Sequence, residues 1–172
     1  MEKILIAYST TDQHTLKISS YIKENIEDND SVEIKPISEV DSLDNYNKII
    51  VGASIRYGKH NKEVYEFIKN FQSTLEEKKS AFFSVNIVAR KPEKNRPDTN
   101  PYLIKFLNEI DWKPKNLAVF AGMLNYQKYS FFNRQMIRFI MWMTKGPTDP
   151  LTVIDYTNWD EVKKFSKLIN DL

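Results

Sequence analysis

Between residues 9 and 15 the chain reads Ser-Thr-Thr-Asp-Gln-His-Thr, with hydroxyls at Ser9, Thr10, Thr11 and Thr15. One helix cap needs a single Ser, Thr or Asp. Four hydroxyls in seven residues exceed that need and suit an anion, above all a phosphate, where a helix begins. There, free backbone N–H groups and the positive end of the helix dipole point at the same spot. Asp12, Gln13 and His14 complete the segment, which contains no Lys or Arg, so neutral donors would hold the phosphate. A lone histidine at a helix start is more often solvated or capping than a ligand. The segment has neither the Gly-Lys-Ser/Thr of the Walker loop nor the glycines of the dinucleotide fingerprint.

Two further stretches could complete a site. Gly52–Gly58 reads Gly-Ala-Ser-Ile-Arg-Tyr-Gly. An aromatic ring beside a glycine, as at Tyr57, can stack on a flat heterocycle while Ser54, Ile55, Arg56 and Gly58 border it. The plainer alternative is a surface ring packed on its own loop. Ser84-Val85-Asn86, continuing through Ala89, Arg90 and Lys91, could close the opposite edge.

These stretches need a frame that brings them together. Ile4–Tyr8 is a short apolar run that gives way at once to the hydroxyl loop, as a buried parallel strand would. Leu16, Ile18, Ile22 and Ile26 follow at helical spacing, so a helix is expected over 15–28, ended by Glu27-Asp28-Asn29-Asp30. Residues 31–37 alternate and carry Pro36, as on an edge strand. Residues 38–47 are expected to be a short helical connection. Strands follow at 48–53, 80–86 and 116–122, and helices at 62–75, 101–110 and from about 157. Residues 54–61 and 87–100 are expected to be loops. Alternating strands and helices argue an α/β fold, a parallel sheet covered on both faces. With right-handed crossovers the order 2-1-3-4-5 follows, and it places the three stretches at the switch point.

Bulk properties narrow the classes. The 172 residues suit one domain with a full core. A net charge of +2 argues against a dedicated nucleic-acid binder. The absence of cysteine excludes disulfides and thiolate chemistry. No metal-ligand cluster stands out. No secretion signal is visible and no apolar run reaches a membrane span, so a cytoplasmic protein is expected.

On Ser9-Thr10 with Asp12, on 51–58 and 84–94, and on Tyr156-Thr157 with Trp159, the chain resembles the flavodoxins over essentially its full length. Within them it is most similar to the menaquinone-dependent protoporphyrinogen IX dehydrogenases of bacterial haem synthesis. The resemblance implies FMN, with Ser9, Thr10, Thr11, Asp12, Gln13, His14 and Thr15 as its phosphate loop. Ser54, Ile55, Arg56, Tyr57, Gly58, Ser84, Val85, Asn86 and Ala89 would surround its ring. It also implies oxidation of protoporphyrinogen IX to protoporphyrin IX, with electrons passed to menaquinone. One departure stands out: these dehydrogenases tend to have Asp-Gly-Gln-Thr where this chain has Asp12-Gln13-His14-Thr15. A positive φ at Gln13 would therefore be strained. The alternative is a plain FMN electron carrier without a substrate of its own, although carriers usually present an acidic face.

Residues 123–151 are too long for a strand–helix turn. Their centre, Phe131–Met143, is bulky and apolar around most of a helix. From Trp112 through Thr148 there is no acidic residue, but there are Lys113, Lys115, Lys128, Arg134, Arg138 and Lys145. Such a helix suits the inner, anionic face of a membrane or a cover for a flat hydrophobic carboxylate. A core helix or dimer contact would look similar, and homo-oligomer formation stays open. Arg90, Lys91, Arg134 and Arg138 are expected to meet the substrate's propionates.

Overall fold

The computed structural model describes residues 2–27 and 31–172. Five parallel strands, β1 (Ile4–Ser9), β2 (Val32–Pro36), β3 (Lys48–Arg56), β5 (Lys79–Val85) and β6 (Asn116–Phe120), lie in the order β2-β1-β3-β5-β6. Counted among themselves they run 2-1-3-4-5, as expected. Register is continuous through the centre, with Ile6 opposite both Ile34 and Ile50, and Val51 opposite Phe82.

Side chains alternate along each strand, so each apolar run feeds two cores. Leu5, Ile49, Val51 and Phe82 face helices α2 (Lys62–Glu77) and α3 (Pro101–Glu109), against Val64, Phe67, Leu103 and Phe106. Ile4, Ile6, Ile50 and Phe83 face α1 (His14–Glu24) and α5 (Trp159–Asn170), against Ile18, Ile22, Val162 and Phe165. The helix expected over 15–28 ends by Glu24, and the acidic stretch 28–30 lies outside the described residues. Residues 38–47 hold only the end of a 3-10 turn, Ile37–Glu39.

Two departures shape the rim. The expected loop 54–61 is a hairpin: β3 runs on to Arg56 and pairs antiparallel with β4 (Lys59–His60). Its turn is Tyr57-Gly58, both at positive φ (52° and 78°), as a type I′ hairpin requires. The long segment after β6 opens with β7 (Met123–Asn125), which pairs antiparallel with β8 (Val153–Asp155). This ribbon closes the base of a loop that carries α4 (Phe131–Met143). Leu124, Tyr126, Tyr129 and Met141 form its own small core.

At Gly52 the sheet allows no side chain, since a Cβ there would stand 2.1 Å from Phe83 Cζ. That ring is itself wedged against Phe120 and Phe165. Gly52→Ala should therefore lower the unfolding free energy in urea by about 1–3 kcal/mol. An unchanged midpoint would mean that Phe83 has room to move.

Candidate functional site

The C-terminal ends of β1, β3 and β5 open into a cleft. Thr10, Thr11, Asp12, His14 and Thr15 line it from the first loop. Ser54, Ile55, Arg56, Tyr57 and Gly58 line it from the hairpin, and Val85 and Asn86 from the third loop. Twelve of the sixteen residues expected around a mononucleotide thus meet in one place.

The other four stand behind the wall. The Ser9 hydroxyl donates to Glu63 Oε1 at 2.5 Å, across the start of α2. Gln13 takes the N-cap position of α1 with φ 64° and ψ 1°, and its side chain makes no capping bond. The left-handed turn that glycine would give freely is thus made by a glutamine, at a cost of roughly 1–2 kcal/mol. Ser84 and Ala89 are buried under the third loop. Thr10 Oγ1 and Thr15 Oγ1 are buried without a hydrogen-bond partner. Orphaned hydroxyls are costly and rare, and two at one helix start indicate a ligand.

Salt bridges and rings tie the loops together. Arg56 reaches from the hairpin to both oxygens of Asp12, at 2.8 and 2.9 Å. Its guanidinium also lies over the rings of Tyr57 and Tyr129, at 5.9 and 5.4 Å. The Tyr57 hydroxyl donates to Asn133 Oδ1 at the first turn of α4. The Tyr57 ring is half exposed, and its bond to α4 crosses the cleft mouth.

Beneath the third loop runs a directed chain of polar groups. Asn86 Nδ2 donates to Ser84 Oγ at 3.3 Å. Ser84 Oγ meets His60 Nε2 at 3.5 Å, and His60 Nδ1 donates to Ser54 O at 3.1 Å. Asn86 and Asn100 exchange side-chain bonds, and Asn100 caps α3. His60 is packed edge-on to Phe82 and Phe106. Burial pushes its pKa down to about 4, against the pull of the Ser54 carbonyl. Neutral His60 and Asn100 thus hold the rim in place, and no motif marked either of them.

His14 is buried rather than solvated. The Thr157 hydroxyl donates to Ala121 O at 2.9 Å, so it accepts from His14 Nε2 at 2.6 Å. Asp155 Oδ1 stands 3.6 Å from the same nitrogen. Burial opposes the Asp155 charge, but bonds from Thr157 and Lys17 outweigh it and hold its pKa below the usual value. The phosphate-loop end of α1 is thereby fastened to β8.

The fourth wall is the inserted segment, expected to lie on a membrane or to cover a flat hydrophobic carboxylate. Met123, Leu124, Tyr129, Ile137, Ile140 and Met141 of the inserted segment line the cleft, with Ile87 and Tyr102 beside them. In contrast, three of the four basic residues expected to meet propionates are spent on carbonyl groups. Arg90 donates to Ile87 O and to Thr144, Arg134 to Tyr126 O, and Arg138 to Thr148 O. Lys91 is half-buried and does not line the cleft. Carbonyls left free by the 3-10 turn and the return loop of the insertion claim the guanidinium groups first.

A family model described as a flavodoxin domain matches residues 5–150. The protein of Escherichia coli (strain K12) named protoporphyrinogen IX dehydrogenase (quinone) is 41% identical over 174 residues, covering 99% of this chain and 96% of its own. One of the same name from Leishmania major is 43% identical over 168 residues, covering 95% of this chain and 73% of its own. Oxidised flavodoxin 1 from Bacillus cereus shares the fold at a TM-score of 0.56 with 15% identity, over 99% of this chain and 98% of that one.

Two outcomes follow from this geometry. Gln13→Val should cost about 1–2 kcal/mol, because a β-branched side chain resists the left-handed region, whereas Gln13→Gly should be at least as stable as the parent. Equal losses in chemical denaturation would contradict the strained turn. For His60, the unfolded chain takes up a proton near pH 6.5 and the folded one only near pH 4. Its contribution is therefore full above about pH 6.5 and is lost as pH falls toward 4, by roughly 3 kcal/mol. The stability gap between the parent and His60→Gln should close by that amount over this window, and parallel pH curves would refute it.

Proposed function

Since this chain belongs to the flavodoxin family, we propose that it is a quinone-dependent protoporphyrinogen IX dehydrogenase that holds FMN in the cleft at the ends of β1, β3 and β5. The observation that carries this reading is the double role of the inserted helix. Its inner arc walls the cleft, and its outer arc is bare.

The cleft suits the cofactor. Thr10 Oγ1 and Thr15 Oγ1 lack partners where a phosphate would sit, and the free N–H groups of α1 begin beside them. Tyr57 and the backbone of Ser54–Gly58 offer a ring face and edge donors for the flavin. Bound there, FMN supplies a two-electron acceptor, which the side chains of this protein lack. Oxidation of protoporphyrinogen IX removes six electrons, so three quinones are consumed for each porphyrin. The chain's own part is to bind, orient and exclude water. Met123, Leu124, Ile137, Ile140 and Met141 give the flat macrocycle an apolar wall beside the ring.

The outer arc favours a quinone dissolved in lipid, menaquinone in particular, and a protein that sits on the anionic inner face of a membrane. At about 100° per residue, Phe131, Phe132, Met136, Phe139, Trp142 and Met143 fall within an arc of about 140°. All six are exposed, Phe132 by 84% and Trp142 by 69%. Leu151 and Val153, at the start of the return to the ribbon, are exposed as well. Exposed Lys128 and Lys145 stand at the two ends of α4. Among the described residues no helix is long and apolar enough to cross a membrane, so contact would be through this face.

Anaerobic mixing of the flavin-loaded protein with protoporphyrinogen IX should bleach the flavin absorbance, and adding a menaquinone analogue should restore it. Absence of substrate-dependent bleaching removes the enzyme reading in favour of an electron carrier. A Phe132→Ser, Phe139→Ser, Trp142→Ser variant should keep its flavin and lose at least about tenfold in partitioning to phosphatidylglycerol vesicles. Unchanged partitioning would refute the membrane role of the outer arc.

A further inference from the structure

We propose that His14 is the cationic partner of the phosphate held at the start of α1, taking up a proton at Nδ1 when the anion arrives and gripping Asp155 through Nε2. This rests on the FMN reading, which supplies the phosphate, and on the charges around the cleft.

A phosphate dianion needs positive charge nearby, and the first loop has no Lys or Arg. Arg56 lines the cleft, but its charge is already paired with Asp12 through Nη2, and its buried Nη1, which has no partner, can add only a donor. Lys17 is committed to Asp155 Oδ2 at 3.0 Å, and its charge lies over the Trp159 ring. His14 is the other cleft-lining residue that can become a cation. It is the first residue of α1, beside Thr15 with its unpartnered hydroxyl.

The hydrogen-bond directions fix how a proton would be added. Nε2 already carries one, because Thr157 accepts from it while donating to Ala121 O. A second proton can therefore go only to Nδ1. The resulting imidazolium would face Asp155 from β8 and Asp12 from the first loop, which favour it, and Lys17 on its own helix, which opposes it. Trp159 of α5 packs edge-on, with ring centres 6.3 Å apart, and adds no charge. With no anion bound, burial outweighs Asp155 and holds the ring below the ordinary imidazole pKa. An anion at the cradle adds the missing attraction.

Binding and protonation are then linked in both directions. A phosphate site of neutral donors predicts weaker binding as pH falls, because the phosphate itself loses charge near pH 6. A site with His14 predicts the reverse between pH 8 and 6.5. Through Thr157 and Asp155, the same proton would tighten the junction between the phosphate loop and β8, which carries one side of the inserted ribbon.

The chain has two histidines, so an NMR titration of imidazole carbon-bound protons resolves both. The His14 midpoint should rise by about 1 pH unit or more when FMN is bound and should not move with riboflavin, which has the ring but no phosphate. His60, sealed from the cleft, is the internal reference. FMN should bind more tightly as pH falls from 8 through the raised midpoint, by about twofold there and approaching tenfold only at the unraised one, and His14→Gln should abolish that slope. A His14 midpoint unmoved by bound FMN, or moved equally by riboflavin, overturns the proposal. If neither flavin binds, the cofactor reading fails separately. Inorganic phosphate then decides: a midpoint it raises upholds the role of His14, and an unmoved one rejects it.

Discussion

A sheet buried on both faces leaves its strands no side on which to be polar. Four of the five parallel strands, all but the edge strand β2, alternate between two helical layers, and even the central Gly52 is filled from outside by the Phe83 ring. Polar chemistry is therefore driven to the strand ends. The order 2-1-3-4-5 separates the connections after β1 and β3, which leave toward opposite faces, and opens a crevice between them. The cleft is a consequence of that constraint, and the loops around it are free to specialise because the sheet carries the stability.

What keeps the loops from drifting is a set of ties that each join two of them. Arg56 to Asp12 joins the hairpin to the phosphate loop. His14 to Thr157 joins that loop to the end of β8, and Arg90 to Thr144 joins the third loop to the end of α4. Tyr57 to Asn133 closes the ring. Most of these ties are partly exposed and individually modest. Their common effect is geometric, because each fixes the distance between walls that belong to different connections. The strained residues sit in this ring too: Gln13, Tyr57 and Lys145 all have positive φ, the last just past the end of α4. Left-handed turns at bulky residues persist where neighbours over-determine them.

Much of the fold was legible because two-sided burial writes strands as short apolar runs, and Ile4–Tyr8 and Lys48–Ala53 show this plainly. The hairpin was not, since Ile55-Arg56 is too short a pattern and Tyr57 is an unusual residue for a left-handed turn position. Among the residues that types singled out, Thr10, Thr15 and Asn86 do line the cleft. Types failed for Arg90, Arg134 and Arg138, because a positive charge in a sequence does not reveal which carbonyls a turn has left unpaired. His14 failed in the other direction. A single histidine at a helix start looks solvated until the end of β8, brought back across 143 residues of chain, buries it against Thr157.

The inserted helix shows where composition stops and geometry must take over. Phe131–Met143 is apolar almost throughout, so its sequence fits a core, a dimer contact or a membrane equally well. The two arcs set a core helix apart from the other two. Arg134 and Arg138 are one turn apart and reach back to Tyr126 O and Thr148 O, which fixes the rotation of α4 about its axis. With that rotation set, Ile137, Ile140 and Met141 must face the cleft, and Phe132, Phe139 and Trp142 must face away. A core helix would have cover on the second arc, and among the described residues there is none. The arginines thus act by aiming an apolar wall at the cleft. One helix then borders the cleft on one side and turns an exposed apolar face away from it on the other.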